Sequence, residues 1–260
     1  MIKRFSAFFI LAMCVCSSVF GWTKIGHDAI AYIAECHLTP KAKANIEKYL
    51  DGHSIVYYAS WMDKVRMTPE YKHTTKWHST AVNDEGKYRH DMKHGDVVSA
   101  IDDAIGRLQN RGEMSDSAVA VDIKILVHAI GDMHCPAHSK FPKHPQGEIK
   151  FNLNGNEAQF HSFWDAAPDN CHRWYYVDYQ YQLDRNDDAM REELSKGTPR
   201  QWAEECAAEN RTVYDWLTPG AKFDKTQTLD VFLKAEALVD SRIPKAGYRL
   251  ARVLNELFDK

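Results

Sequence analysis

Residues 119–130 form a largely apolar run that is too long for a strand, and such a run predicts a helix buried inside a domain. The same helix carries His128 and Asp132, and their spacing of four residues puts both side chains on one face. An imidazole and a carboxylate are costly in a core unless they are paired or bind metal. The run therefore predicts a polar centre around which the rest of the chain is folded.

A second His-x3-Asp pair, His161 and Asp165, follows later in the chain. Between the two pairs, Pro136 ends the helix and the chain turns, which brings His138 within reach of the same place. A core helix whose polar residues bond to one another would explain a single pair. Because the spacing occurs twice around an intervening histidine, we favour a polynuclear metal site.

The N-terminus has the pattern of a secretory signal peptide. Lys3 and Arg4 precede an apolar stretch at 5–19, and Val19-Phe20-Gly21 is an acceptable cleavage signal. We expect cleavage after Gly21, so that residues 1–21 are removed and residues 22–260 form the domain. The mature protein would begin at Trp22 and would be exported to the periplasm or secreted.

The charge balance argues against a broad basic face for nucleic acid. Removing Lys3 and Arg4 from 33 basic residues, against 36 acidic ones, leaves a net charge of −5. A mildly acidic surface does not hold a phosphate backbone by itself. If the substrate carries phosphate, bound metal ions are the obvious groups to neutralise it.

Four cysteines remain in the mature chain: Cys36, Cys135, Cys171 and Cys206. An even number in an exported chain suggests two disulfides, for which three connectivities are open. No Cys-x2-Cys spacing occurs, so the sequence does not indicate a zinc finger.

Helical periodicity dominates the chain. Thr39-Pro40 and Thr198-Pro199 each predict a helix start, with a capping residue followed by proline at the first helical position. Ser115 or Asp116 would cap the central helix. From Leu229 onward the pattern predicts two helices broken near Pro244, where a proline removes a backbone donor.

Only one β element is convincing. Residues 148–152 can pair with residues 157–160 across Asn154-Gly155, a favourable hairpin turn. No repeat, linker or low-complexity tract divides the mature chain. We therefore predict a single all-α domain with one short β-hairpin.

Five motifs, taken in order, resemble the S1/P1 nuclease family. They are Trp22-x4-His27, Tyr58-Ala59-Ser60-Trp61-Met62-Asp63-x2-Arg66, Trp77-His78, His128-x3-Asp132-x5-His138 and His161-x2-Trp164-Asp165. The resemblance extends from Trp22 to about Leu257. It implies the helical fold of the phospholipase C/P1 nuclease type and a secreted, zinc-dependent nuclease and 3′-nucleotidase that prefers single strands.

The resemblance also implies three zinc ions and their ligands. The first would take Asp63, His78, His128 and Asp132; the second His138, His161 and Asp165; the third His27, Asp132 as a bridge, and the amino nitrogen and carbonyl oxygen of Trp22. The third set needs a processed terminus, which the predicted cleavage supplies. Zinc suits mixed imidazole, carboxylate and amine ligands, whereas magnesium prefers oxygen. We expect His134 to orient a ligand from outside this set.

The mechanism expected from this resemblance is hydrolysis of a phosphodiester by a metal-held hydroxide, leaving 5′-phosphate products. Asp63, Arg66 and Asp132 would be the catalytic residues, with Arg66 adding a fixed cation opposite the developing charge. The expected partner is single-stranded DNA or RNA, or a 3′-nucleotide. We expect a monomer without stable membrane association.

The chain departs from the family pattern at the base-binding positions. After the loop histidine the family usually has an aromatic and then an acidic residue, whereas His78 is followed here by Ser79-Thr80-Ala81. The usual Gly-Gly-Asn is replaced by residues 139–147. Base stacking must then either come from elsewhere, with Tyr88, Phe141 and Phe151 as candidates, or be weak.

Two other functions compete with a nuclease. A zinc phospholipase C resembles the same fold, but that family has a longer interval between its terminal Trp and the next His, and it usually has Glu at the position of Asp165. A non-catalytic zinc-binding protein is the second alternative. The presence of every expected ligand, together with Arg66, argues against it.

Overall fold

The computed structural model describes residues 21–144 and 149–260, so the predicted signal peptide lies, apart from Gly21, outside the described residues. The prediction of an all-α domain is confirmed, because helices make up most of the described chain. The helices are α1 (Lys24–Cys36), α2 (Pro40–Tyr49), α3 (Trp61–Val65), α4 (Val97–Gln109), α5 (Asp116–Met133), α6 (Phe160–Asp165), α7 (Ala167–Cys171), α8 (Tyr176–Leu183), α9 (Asp188–Ser195), α10 (Pro199–Val213) and α11 (Lys225–Phe258).

Helix α5 is the buried helix that its apolar sequence predicts. The Ser115 hydroxyl caps it by accepting from the backbone N–H of Ala118 at 3.3 Å. The helix contacts α1, α2, α3, α4, α10 and α11, so it is packed on several sides. Asp122, a buried acid in the N-terminal half of α5, pairs with Arg107 of α4 at 2.7 Å. The C-terminal half of α5 therefore lies deep in the core, where its polar residues must find partners inside the protein.

Helix α11 is a single helix from Lys225 to Phe258, so the predicted break near Pro244 is wrong. Pro244 lies inside it and is buried. A proline removes one backbone hydrogen bond, but the helix is held along its length by packing against α1 and α9. The contact with α1 is close at Gly247, where a Cβ atom would lie 2.6 Å from Cγ2 of Ile33.

The β structure is more extensive than the single predicted hairpin. That hairpin is confirmed: β4 (Lys150–Leu153) pairs with β5 (Asn156–Gln159), and Asn154 and Gly155 at the turn have φ of 49° and 92°. In addition, β6 (Lys222–Phe223) joins β4 in parallel. A second small sheet has β1 (Thr80–Val82) between β2 (Tyr88–Arg89) and β3 (Ser139–Lys140). These two-residue and three-residue strands are too short to give a sequence signal.

The prediction of two disulfides is wrong, because all four cysteines are free thiols. Cys135 and Cys206 are buried. The Cys135 Sγ lies 3.8 Å from Oδ1 of Asp165, and the Cys171 Sγ lies 3.8 Å from the carbonyl of Phe232. Packing thus directs each of these two thiols toward an oxygen atom and not toward another sulfur.

Within the part of the chain that the structure describes, we find no helix long and apolar enough to cross a membrane.

Candidate metal centre

Six separate segments bring their side chains to one buried centre beside the C-terminal half of α5. All of the side chains predicted from sequence to ligate metal are buried except His161, which is half-buried. They are His27 from α1, Asp63 from α3, His78 from the segment before β1, His128 and Asp132 from α5, His138 from the turn at 136–138, and His161 and Asp165 from α6.

The two carboxylate oxygens of Asp132 face two different sets of imidazoles. Its Oδ2 lies 2.8 Å from Nδ1 of His78 and 3.0 Å from Nε2 of His128. Its Oδ1 lies 3.3 Å from Nε2 of His27 and 3.5 Å from Nδ1 of His138. Asp132 is therefore placed between two groups of nitrogen atoms, as a bridging carboxylate would be.

Asp63 completes the first group. Its Oδ1 lies 3.7 Å from Nδ1 of His78 and 3.8 Å from Nε2 of His128. The two histidine nitrogens are 3.2 Å apart. Zinc bonds of about 2.0–2.1 Å at tetrahedral angles place neighbouring ligand atoms about 3.3 Å apart. The spacings of this group are thus those of a ligand set that surrounds one small cation.

The second group is built around Asp165. Its Oδ1 lies 3.6 Å from Nε2 of His161 and 3.9 Å from Nε2 of His138. His138 therefore directs one ring nitrogen to Asp165 and the other to Asp132. Because both nitrogens face carboxylates, this imidazole lies between the two halves of the centre.

Several buried polar atoms of the centre have no hydrogen-bond partner among the described residues, although buried polar groups are nearly always satisfied. The atoms are both ring nitrogens of His27, Oδ1 of Asp63, Nε2 of His78, Oδ1 of Asp132 and Nδ1 of His138. These atoms converge on one place and need a partner that the protein itself does not supply. The donor set of imidazole nitrogens and carboxylate oxygens fits zinc.

His128 is oriented by a backbone contact. Its Nδ1 donates to the carbonyl oxygen of Ala59 at 2.8 Å, which leaves Nε2 to face Asp132 and Asp63. Fixing the tautomer of a ligand histidine through its other nitrogen is typical of metal sites. His134 does not do this for another ligand: its Nδ1 donates to the Ile130 carbonyl at 2.7 Å, and its Nε2 accepts from Arg249 at 2.9 Å.

The environment shifts the pKa of several of these groups in ways that matter for metal binding. Burial and the cation of Lys140 lower the pKa of His161 to about 4, which leaves its imidazole neutral. Burial and the carboxylates of Asp132 and Asp63 raise the pKa of Asp165 to about 10. Burial opposes the charge on His128, but Asp132 and Asp63 outweigh it and raise its pKa to about 9. A bound cation would therefore displace protons from Asp165 and His128.

Arg66 lies at the edge of the centre. Its Nη1 is 3.9 Å from Oδ1 of Asp63, and the residue is buried. Its charge also helps to lower the pKa of His161 and partly offsets the rise in the pKa of Asp165. The guanidinium thus acts on both groups of ligands, and its place beside the reacting phosphate stays a prediction.

Two residues near the centre were missed from the sequence. Cys135 lies with His138 and Asp165 in one group of buried ligand atoms that are all within 4.8 Å of one another. Lys140 lowers the pKa of both His138 and His161. Its position follows from the pairing of β3 with β1, so no local signal in the sequence identifies it.

The first described residues, Gly21 and Trp22, lie against the metal centre. Trp22 is fully buried, and the N–H of Thr23 donates to the carbonyl of Asp165 at 2.9 Å. A Cβ atom on Gly21 would lie 1.6 Å from Oδ1 of Asp132. The peptide preceding Trp22 therefore lies directly against the carboxylate oxygen to which the third cation was assigned.

The three candidates for base stacking are poorly placed for that role. Phe141 and Phe151 are buried. Tyr88 is half-buried, and its hydroxyl donates to Asp96 at 3.0 Å. The expectation that Phe141 and Phe151 stack bases is wrong, because both rings are buried, whereas stacking on Tyr88 stays a prediction.

Comparison with known proteins identifies the family. A profile described as S1/P1 Nuclease matches residues 22–259. The chain is 27% identical to "Nuclease P1" of Penicillium citrinum, in an alignment covering 91% of this chain and 97% of that protein. It is 25% identical to "Endonuclease 1" of Arabidopsis thaliana, with 96% and 91% covered, and 24% identical to "Nuclease S1" of Aspergillus oryzae, with 91% of each covered. Because the profile spans nearly the whole chain, this protein belongs to the S1/P1 nuclease family.

Proposed function

We propose that this protein is an exported, zinc-dependent nuclease that cleaves single-stranded DNA or RNA, and 3′-nucleotides, to leave 5′-phosphate products. The names of its relatives support a nuclease. The chemistry of the buried centre supports zinc as the cofactor. We expect cleavage after Gly21, which would turn the Trp22 nitrogen from a peptide N–H into an amine that can ligate.

The observation that carries the proposal is the position of Asp132 between two sets of imidazoles. Burial makes an unpaired carboxylate oxygen costly, and hydrogen bonds do not satisfy Oδ1 of Asp132. A bridge between cations accounts for both oxygens at once. The ligands we propose are Asp63, His78, His128 and Asp132 for one ion; His138, His161 and Asp165 for a second; and His27, Asp132 and Trp22 for a third.

When bound, zinc ions supply a hydroxide near neutral pH and neutralise phosphoryl charge. The residues of the chain then have separate tasks. Asp63, buried beside both His78 and Arg66, accepts from the attacking water and orients it. Arg66 holds a permanent charge opposite the phosphoryl oxygens. The buried ligand shell excludes bulk water, which strengthens these charge interactions.

A zinc phospholipase C is the main alternative among proteins of this fold. The relatives reported above are named as nucleases, and each aligns with most of this chain. No apolar helix suited to crossing a bilayer occurs among the described residues, although a peripheral enzyme would not need one. A non-catalytic zinc-binding protein is disfavoured by Arg66, a buried cation that a structural zinc site does not require.

The test is to incubate the mature protein with single-stranded DNA, RNA, 3′-AMP and phosphatidylcholine, with and without a chelator, and to follow phosphate-ester products. We expect cleavage of the nucleic acids and 3′-AMP, loss with chelator, and recovery when zinc is restored. Hydrolysis of phosphatidylcholine alone would contradict the proposal. If DNA were still cleaved in the presence of chelator, the protein would be a nuclease, but the proposed role of zinc would be wrong.

A further inference from the structure

A second concave surface, the aromatic cavity, is lined in part by α1 and α3, the helices that carry two of the proposed metal ligands. Its volume is about 780 Å³, which is within the range of small-molecule sites. Five of its lining residues are aromatic: Tyr32, Tyr57, Tyr58, Trp61 and Tyr176. This density of rings is unusual for a surface cavity and is typical of sites that stack planar ligands.

Neighbouring groups hold these rings in place. Tyr32 and Tyr176 meet edge to face, with their centroids 5.2 Å apart. Nζ of Lys124, on α5, lies 4.2 Å from the centroid of the Tyr58 ring and 5.4 Å from that of Trp61. Such cation–π contacts fix the rings without covering the cavity. The walls are therefore preformed, which lowers the entropic cost of binding a planar group.

Tyr57 is the exposed member of the set. Its ring stacks on His53 at 4.2 Å with an interplanar angle of 9°, and it meets Tyr58 edge to face at 4.9 Å. The residue nevertheless remains 64% exposed. A large aromatic residue left this exposed at the rim of a cavity has a ring surface available for stacking.

The cavity also carries polar groups suited to a nucleotide. Asp28 is only 4% exposed, its Oδ2 pairs with Lys24, and its Oδ1 has no hydrogen-bond partner among the described residues. A buried carboxylate oxygen without a donor is costly, and an exocyclic amino group of a base would satisfy it. Lys64 is exposed at the same cavity and is placed to contact a phosphate.

The aromatic cavity is linked to the metal centre by chain geometry. Asp28 follows His27 on α1, and Lys64 follows Asp63 on α3. Successive residues of a helix project about 100° apart, so the two sites lie on neighbouring faces of the same two helices. A strand cut at the metal centre can then place a nearby nucleotide in the cavity.

We propose that the aromatic cavity binds a nucleobase of the single-stranded substrate beside the scissile phosphodiester. This inference rests on the proposed nuclease function and names where its substrate is held. It supplies the stacking surface that Ser79-Thr80-Ala81 lacks and that the buried rings of Phe141 and Phe151 do not provide.

The test compares Tyr57→Ala with the wild type on an oligodeoxyadenylate of twelve residues and on bis(4-nitrophenyl) phosphate, which has no base. We expect KM for the oligonucleotide to rise about tenfold with kcat little changed, since stacking on one ring contributes a factor of this order. Hydrolysis of the small diester should not change. Tyr57→Phe, which keeps the ring, should restore the wild-type KM. Tyr181→Ala is the matched control, because Tyr181 is also 64% exposed but lies outside the cavity.

An unchanged KM for the oligonucleotide in Tyr57→Ala would overturn the inference. An equal loss on both substrates would also overturn it, because that result indicates damage to the metal centre. If the wild type cleaves neither substrate, the proposed function fails, and binding of a fluorescein-labelled strand then decides the inference. If Tyr57→Ala, but not Tyr181→Ala, binds the labelled strand more weakly as measured by fluorescence anisotropy, the result supports base binding in the cavity. Equal binding by both variants would reject it.

Discussion

Two polar clusters flank the C-terminal half of α5, and they differ in how completely protein groups satisfy their polar atoms. The first is the metal centre. The second, which we call the arginine cluster, consists of His134, Glu205, Glu209, Arg242 and Arg249. In the arginine cluster, Arg249 donates to His134 at 2.9 Å, and Arg242 donates to the His134 carbonyl at 3.1 Å and to Glu209 at 3.0 Å. Each of these cations has acceptors from the protein.

The metal centre is buried, but protein groups do not satisfy all of its polar atoms. Both ring nitrogens of His27 and one oxygen each of Asp63 and Asp132 have no hydrogen-bond partner among the described residues. The arginine cluster is fully paired and needs no ligand. Its hydrogen bonds to His134 hold the turn that follows α5 in place. The unpaired network requires a ligand. Burial alone would not have separated a structural cluster from a functional one.

The largest expected effect comes from Asp132→Asn, which keeps the shape but removes the charge. We expect kcat/KM for single-stranded DNA to fall about 1000-fold or more, equivalent to about 4 kcal/mol, since the residue serves two cations. Zinc per chain, measured by elemental analysis, should fall as well. Asp122→Asn is the control, because Asp122 is a buried acid of the same helix that pairs with Arg107. Full activity with full zinc content in Asp132→Asn would refute the bridge.

A smaller effect is expected from breaking the arginine cluster. His134→Ala leaves a donor of Arg249 unpaired, so urea denaturation should show a loss of about 2–4 kcal/mol in the free energy of unfolding. Well below the unfolding transition, the variant should still bind zinc. The matched variant His128→Ala should lose zinc instead. If His134→Ala lost its zinc while folded, the proposed division between the two clusters would be wrong.

The smallest effect concerns the pH dependence of the metal-free protein. In the folded state the pKa of Asp165 is raised to about 10 and that of His128 to about 9, so between pH 7 and 9 the folded state holds more protons than the unfolded state. Stability must therefore fall as the pH rises through this window. We expect the Tm of chelated protein to be lower at pH 9 than at pH 7. Asp165→Asn should flatten this dependence, and a rising Tm would contradict it.

Much of the candidate site follows from local spacing. His128 and Asp132, like His161 and Asp165, are separated by one helical turn, so the sequence alone puts each pair on one face. The capping residues Ser115, Thr39 and Thr198 were likewise identified correctly, because a cap depends on backbone donors three residues away at most.

Predictions that depended on distant contacts were less successful. The continuity of α11 through Pro244 depends on packing against α1, and the free state of Cys135 and Cys171 depends on which atoms the core brings beside each sulfur. The strands β1, β3 and β6 exist only because separate segments meet. None of these contacts leaves a periodic pattern in the sequence.

The sequence by itself determined a helical domain with a buried His and Asp centre, since turn spacing and the cost of burying polar groups are properties of short segments. Only the tertiary structure decided that the oxygens of Asp132 face separate imidazole sets, that His134 pairs with Arg249, and that five aromatic residues line one cavity. Each of these depends on the packing of segments far apart in the chain, which no local pattern encodes.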